Sequence, residues 1–186
     1  LLDSGTGTYN RPIVERFGRG KLLLVSGYYR RQGLIVAPGN PLGIKSIRDI
    51  IEGDVRFINR NKGSGTRILF DKLLSETCRE LGITVDDAVG KIKGYNVEAK
   101  THSSVALAVK IGRADVGLGI ELAARMHGLD FIPITWEEYD FVVNKLKLER
   151  ECVSKFLSLL KDRDTIEYIK KTPGYRPKEN VGDVVE

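Results

Sequence analysis

The stretch 56-RFINRNKGSGTRILFDKLL-74 decides how this chain folds. Its opening, together with Val55, is a short run rich in β-branched and aromatic residues, which predicts a strand over 55–59. From Thr66 onward Ile68, Leu69, Leu73, Leu74, Cys78 and Leu81 recur at spacings of three and four, which predicts a one-sided helix over 66–81 that Gly82 stops. Between them lies a loop with Gly63 and Gly65, two hydroxyl residues and a cluster of positive charge. A helix start leaves backbone N–H groups without partners and carries about half a positive charge, so it is a ready anion site. The glycines let main chain approach a ligand; Ser64 and Thr66 add hydroxyl donors, and Arg60, Lys62 and Arg67 add charge. The loop supplies no carboxylate acceptor, which favours a fully ionised anion over one still carrying a proton. The G-x-x-x-x-G-K-[ST] pattern of a nucleotide P-loop is absent. The plain alternative is a helix-capping turn, and the loop alone does not separate the two.

Working outward, β-branched runs alternate with amphipathic helical patterns, the signature of an α/β fold with mostly parallel strands. Strands are expected at 22–29, 33–37, 55–59, 94–99, 114–120, 131–134 and 139–144, and helices at 46–52, 66–81, 84–90, 103–111, 121–127, 149–161 and 164–171. The Pro- and Gly-rich stretch 38-PGNPLGIKSIRD-49 reads as a break between lobes, and the two glycines of 114-ADVGLGI-120 suggest a second. Two such crossovers give a discontinuous first lobe, 1–43 with 121–186, and an inserted second lobe, 44–120. Within that second lobe 101-THSSVALAV-109 is another hydroxyl-rich helix start, with Thr101, Ser103 and Ser104 ahead of a short helix packed through Val105, Ala108, Val109 and Ile111. Two such turns would lie side by side at the carboxyl ends of parallel strands, where open α/β sheets bind ligands. His102 is a further candidate contact, although a single histidine at a turn is more often structural.

Composition narrows the function classes. With 186 residues, 41% of them apolar, the chain can bury a core, and 30 Lys and Arg against 25 Asp and Glu leave a charge of +5 that favours anionic partners. The basic residues are scattered, most densely at Arg16, Arg19, Lys21, Arg30 and Arg31, without zinc-finger or helix-turn-helix spacing, so no direct nucleic-acid contact by this segment is expected. Cys78 and Cys152 each fall in an apolar helical pattern, which predicts buried free thiols and a cytoplasmic setting. No apolar run approaches the length of a membrane span. Two histidines and no carboxylate–cysteine cluster argue against a metal site. Catalysis finds little support: there is no Gly-x-Ser-x-Gly elbow, and the adjacent pairs Asp86–Asp87 and Glu137–Glu138 read as solvated faces. Neither enzyme activity nor a cofactor is therefore expected. Trp136, Tyr139 and Phe141 read as aromatic packing ahead of cleft walls. The chain begins at Leu1 without a methionine, which leaves a fused or missing N-terminal segment open.

Taken in order, 33-GLIVAPGNPLGIKSIRDI-50, 56-RFINRNKGSGTRILFDKLL-74, 94-GYNVEAKTHSSVALAV-109, 114-ADVGLGIELAA-124, 129-LDFIPI-134 and 139-YD-140 resemble the type II periplasmic-binding-protein-like domain of the molybdate-binding kind. That domain occurs alone, behind helix-turn-helix segments, or joined to molybdopterin-biosynthesis proteins. The resemblance implies a two-lobe type II α/β fold whose crossover strands join the lobes and whose ligand sits between them, with lobe closure as the signal. It implies anion contacts from Ser64, Gly65, Thr66 and Arg67, and from Ser103, Ser104 and the backbone of Val105. Relatives carry a further strand and a glycine-rich helix start ahead of the segment matching 1-LLDSGTGTYN-10, so lobe one is expected to be incomplete at its N-terminus. Phosphate-binding relatives tend to have an aspartate where Lys62 stands, in keeping with a fully ionised guest. The expectation is a binding or sensor domain for molybdate or tungstate, with sulfate a further candidate, serving regulation or molybdenum-cofactor biosynthesis, with a homodimer left open. The alternatives are an effector domain for a small organic acid, or an enzyme segment handling a phosphorylated substrate with Glu121 or His102 as general acid or base.

Overall fold

The computed structural model describes Gly18 and residues 20–185. These form two compact units: Gln32–Thr135 is one, and the described residues on either side of it make the other. The chain passes between them inside two long strands, β1 (Leu22–Val36) and β5 (Asp130–Asn144). Both strands were expected as two pieces each, 22–29 with 33–37 and 131–134 with 139–144. Gly27 and Gly33 interrupt the apolar pattern of β1 without ending it. A Cβ at either would strike a carbonyl of β5, that of Tyr139 or Ile132, so each glycine marks a close backbone approach. Of the basic cluster, Arg16 and Arg19 lie outside the described residues.

In the Gln32–Thr135 unit the strands are ordered β3-β2-β4-β1-β5, with β2 at Phe57–Arg60, β3 at Glu98–Ala99 and β4 at Val116–Ile120. Strand β2 runs parallel to both neighbours, Asn59 opposite Glu98 and Phe57 opposite Val116. Strand β4 meets β1 antiparallel, Leu34 opposite Leu118, so the expected parallel sheet extends over β3-β2-β4 alone. The run 94–99 pairs as a strand only at its last two residues, because Tyr95 and Val97 close a turn onto Ile92 and Gly94. Each parallel strand leads into a helix: β2 into α2 (Gly65–Leu81), β3 into α4 (His102–Lys110) and β4 into α5 (Glu121–Met126). Helices α1 (Ile47–Glu52) and α3 (Val85–Lys91) complete the unit.

The core of this unit gathers Leu34, Ile50, Phe57, Phe70, Leu74 and Leu118, with Phe57 stacked on Phe70 at 4.4 Å between ring centroids. Each such side chain contributes about 1.5–3 kcal/mol by leaving water. The apolar stripe of α2 buries Leu69, Phe70, Leu74 and Cys78 as its spacing requires. Helix α4 buries Val105, Ala108 and Val109, but Ile111, expected in the same stripe, follows the helix and is exposed.

In the other unit β6 (Tyr175–Pro177), not anticipated from sequence, pairs antiparallel with β1, Tyr29 opposite Arg176. Helices α6 (Glu151–Lys161) and α7 (Arg163–Lys171) accompany a cluster of Val25, Val143 and Leu160 with Phe141 and Leu157 packed on it. Cys152 is exposed, not buried: α6 turns Leu160 inward and Cys152 to solvent, while Cys78 is buried as expected. Glu137 and Glu138 lie on a strand, not a solvated helix face. Glu137 is buried against Arg30, and Glu138 accepts from Lys178 at 2.6 Å. Tyr28 stacks on Tyr139 at 5.3 Å, and burial, with Tyr175 and Tyr139 adding to it, pushes its phenol up to about 12.

Candidate functional site

Because β2 and β3 are parallel neighbours, the turns that follow them leave the same edge of the sheet, on strands about 4.8 Å apart. The first turn folds by Ser64 N–H donating to the Asn61 carbonyl at 3.2 Å, with Gly63 in the left-handed region at φ 83°. Ser64 then caps α2, its Oγ accepting from Arg67 N–H at 3.2 Å, which leaves its own proton available. The amides of Gly65 and Thr66 donate to no acceptor among the described residues, nor does the Thr66 hydroxyl, although Thr66 is only 3% exposed. A Cβ on Gly65 would meet nothing within 4 Å, so open space stands beside this main chain.

The second turn is capped by Thr101, whose Oγ1 accepts from Ser104 N–H at 3.0 Å and shares a 2.7 Å hydrogen bond with the Ser104 hydroxyl. Val105 N–H is taken by the Thr101 carbonyl at 3.2 Å, so its amide is committed inside the turn and its side chain is in the core. Ser103 is exposed, and neither its amide nor its hydroxyl has a partner among the described residues. The start of α5 differs from both: it opens with the buried carboxylate of Glu121, which Arg125 approaches at 3.3 Å.

The two arginines expected beside a ligand are built into the protein. Arg60 is buried and donates to the Ala99 carbonyl at 3.1 Å, the Lys100 carbonyl at 3.0 Å and His102 Nδ1 at 3.1 Å. A guanidinium has no acceptor, so Nδ1 accepts and the ring proton resides on Nε2. His102 thus faces inward onto Arg60, beside Gly119, where a Cβ would come within 3.7 Å of Nδ1. Arg67 turns back along its helix to Asp71, at 2.9 and 3.0 Å, lies over the Tyr95 ring at 4.5 Å and reaches Glu98 at 3.4 Å. Burial works against its charge, but the hydrogen bonds to Asp71 and Tyr95 outweigh it and raise its pKa. Sequence showed both cations but not their direction, since the acceptors of Arg60 lie about forty residues away. Tyr95 and Asp71 went unnoticed as partners; only the helical spacing of Arg67 and Asp71 hinted at the second.

This geometry offers two adjacent helix starts that present hydroxyl and amide donors, with no acidic residue in the first turn of either helix, backed by two buried guanidinium groups. A model of the PBP superfamily domain matches residues 1–161. The chain belongs to the PBP superfamily. A Bacillus subtilis (strain 168) protein, YvgK, is 37% identical over 179 residues, 96% of this chain but 55% of its own length, so the chain spans about half of that relative. A Clostridium pasteurianum protein described by its place in the 5′ region of a 2Fe-2S ferredoxin gene is 29% identical over 115 residues, 61% of this chain and 98% of its own. Among solved structures, PEB3 with bound L-phospholactate superposes with a TM-score of 0.64 at 18% identity, over 89% of this chain and 74% of that one. The substrate-binding domain of a molybdenum ABC transporter from Clostridium difficile gives 0.57 at 17% identity, over 92% and 76%. These likenesses fix a periplasmic-binding-protein-like fold. Among the described residues no helix is long and apolar enough to cross a membrane.

Proposed function

We propose that this PBP-superfamily domain binds a small, fully ionised tetrahedral oxyanion of the molybdate or tungstate kind, with sulfate a weaker guest, and does not turn it over. The observation that carries the reading is the set of donors without acceptors at two neighbouring helix starts, from Gly65 and Thr66 on one and Ser103 on the other. Desolvating a dianion is costly, and charge-assisted hydrogen bonds of about 1.5–3 kcal/mol each offset that cost. Ser64 and Ser104 add hydroxyls, while Arg60 and Arg67 contribute their field from beneath, already engaged by protein atoms. A binding role is supported further by the state of the two general acid or base candidates: Glu121 is held by Arg125, and His102 Nδ1 by Arg60. The C. difficile transporter domain, which shares the fold, is described as handling molybdenum. The free thiol exposed at Cys152 supports a reducing, cytoplasmic setting, in which the domain reads the anion for regulation or cofactor biosynthesis.

Calorimetric titration with molybdate, tungstate, sulfate and phosphate tests the reading. Molybdate and tungstate should bind one to one, and phosphate about tenfold or more weakly, because its residual proton finds no carboxylate acceptor at the helix tips, and a poorly matched proton there costs about 1–3 kcal/mol. Absence of heat from all four, or phosphate binding tightest, would refute it.

A further inference from the structure

A groove of about 620 Å³ runs along the flank of α4, on the side of the sheet edge where β3 is the terminal strand. Its volume suits a small organic ligand. The floor is apolar and wet. Leu107 and Ile111, four residues apart on one stripe, are 46% and 54% exposed, and Val97 on the facing wall is 56% exposed. Three large aliphatic side chains open to water around one hollow are more than the scattered surface hydrophobics that need no explanation. Ser104 of the helix-start site lies on its rim, but Ser64, Gly65, Thr66 and Ser103 do not line it, so the groove adjoins that site and extends away from it along α4.

The charges around the groove select its occupant. Four cations line it. Arg56 is matched by Asp115 at 2.6 Å and Lys93 by Asp54, while the one carboxylate in the lining, Glu98, reaches Arg67. Lys100 and Arg113 are exposed and have no ion-pair partner among the described residues. They flank α4, one before its cap and one after its end, and the nine residues of the helix are about 13 Å long. A long apolar floor with unmatched positive charge at its ends fits an extended hydrocarbon body carrying a carboxylate. A second copy of this chain fits poorly, since two basic rims on molecules of charge +5 would repel.

We propose that the α4 groove is a second ligand site, for an amphiphilic organic anion of the medium-chain carboxylate kind. The probe is decanoate, titrated below its micelle-forming concentration into the ¹⁵N-labelled chain, with decylammonium as the cation of matching tail. Saturable shifts are expected at Val97, Lys100, Leu107, Ile111 and Arg113 with decanoate and not with decylammonium. Exchanging both an apolar and a charged contact, in the double variant Ile111→Glu, Arg113→Glu, should weaken decanoate about tenfold or more, the scale of one lost interaction of about 1.4 kcal/mol. Both positions are exposed, so the thermal midpoint should fall by only a few degrees, the cost of acidic groups at the C-terminal end of α4. Equal response to decylammonium, or decanoate binding untouched by the double variant, overturns the proposal. So does a groove indifferent to decanoate that takes a Leu- and Glu-rich peptide instead, which would assign the face to a protein partner.

Discussion

Arg60 does with one side chain what would otherwise need several: it holds two carbonyls and an imidazole of the β3–α4 turn against the end of β2. Replacing it with Met keeps the stem and leaves those acceptors unmatched in the interior. Arg60→Met should therefore cost about 3 kcal/mol, read as a lower urea midpoint at unchanged slope. Oxyanion affinity should fall with it, because the second helix start loses its brace. Gly65 asks the opposite question. Its Cβ position is open space, and it stands at the first helical residue without positive φ, so Gly65→Val should leave the urea midpoint almost unmoved. The same side chain would stand where the guest approaches the main chain, and affinity should drop about tenfold or more. A midpoint that falls as far as the affinity would mean that the valine damages the fold and not the site. Glycine, serine and threonine ahead of an apolar helix were readable from sequence because the chemistry is local. Whether an arginine faces a ligand or a protein acceptor is mostly not local: for Arg60 the sequence carried no sign of it, and for Arg67 only its helical spacing to Asp71 gave one.

At the scale of elements, spacing located every helix of the inserted unit to within one or two residues, since a period near 3.6 is written directly into the order of apolar positions. The long strands were harder to see. In β1 the run Arg30, Arg31, Gln32 looks like a turn, and only partners distant in sequence make it a strand: Arg30 donates to Glu137 at 2.7 Å, and Arg31 lies over Trp136 at 5.2 Å. One pairing between elements can be tested by pH. Arg56, just before β2, forms hydrogen bonds to Asp115, just before β4, and these, set against partial burial, hold the Asp115 carboxyl below its ordinary value. A depressed folded-state pKa adds stability that is complete above the unfolded value of about 3.9 and is lost as pH falls through the folded one. The stability gap between wild type and Asp115→Asn should thus be present near neutrality and close as pH drops below about 4. Denaturant midpoints taken across that interval would show it; a constant gap would mean that the ion pair adds no pH-dependent stability.

At the scale of the molecule, fold class was legible because strands and helices alternate through most of the chain, and the PBP-superfamily match agrees with it. Sequence suggested breaks between lobes at 43/44 and 120/121, where glycine and proline gather; the two compact units divide at 31/32 and 135/136, inside the long strands β1 and β5. In the unit outside Gln32–Thr135, Lys178 bonds both Glu138 and Asp140, and these acceptors outweigh the cost of its burial and raise its pKa. Lys178→Met would remove this cation from both carboxylates, and a loss of stability, read as a lower urea midpoint, is expected. The central claim, that two neighbouring helix starts hold one doubly charged oxyanion, is tested most directly by tungsten anomalous diffraction from crystals grown with tungstate. A single strong peak, placed so that the oxygens around the tungsten accept from Thr66 and Ser103, is the expected result. A peak elsewhere, or none at a concentration that saturates calorimetry, would contradict it.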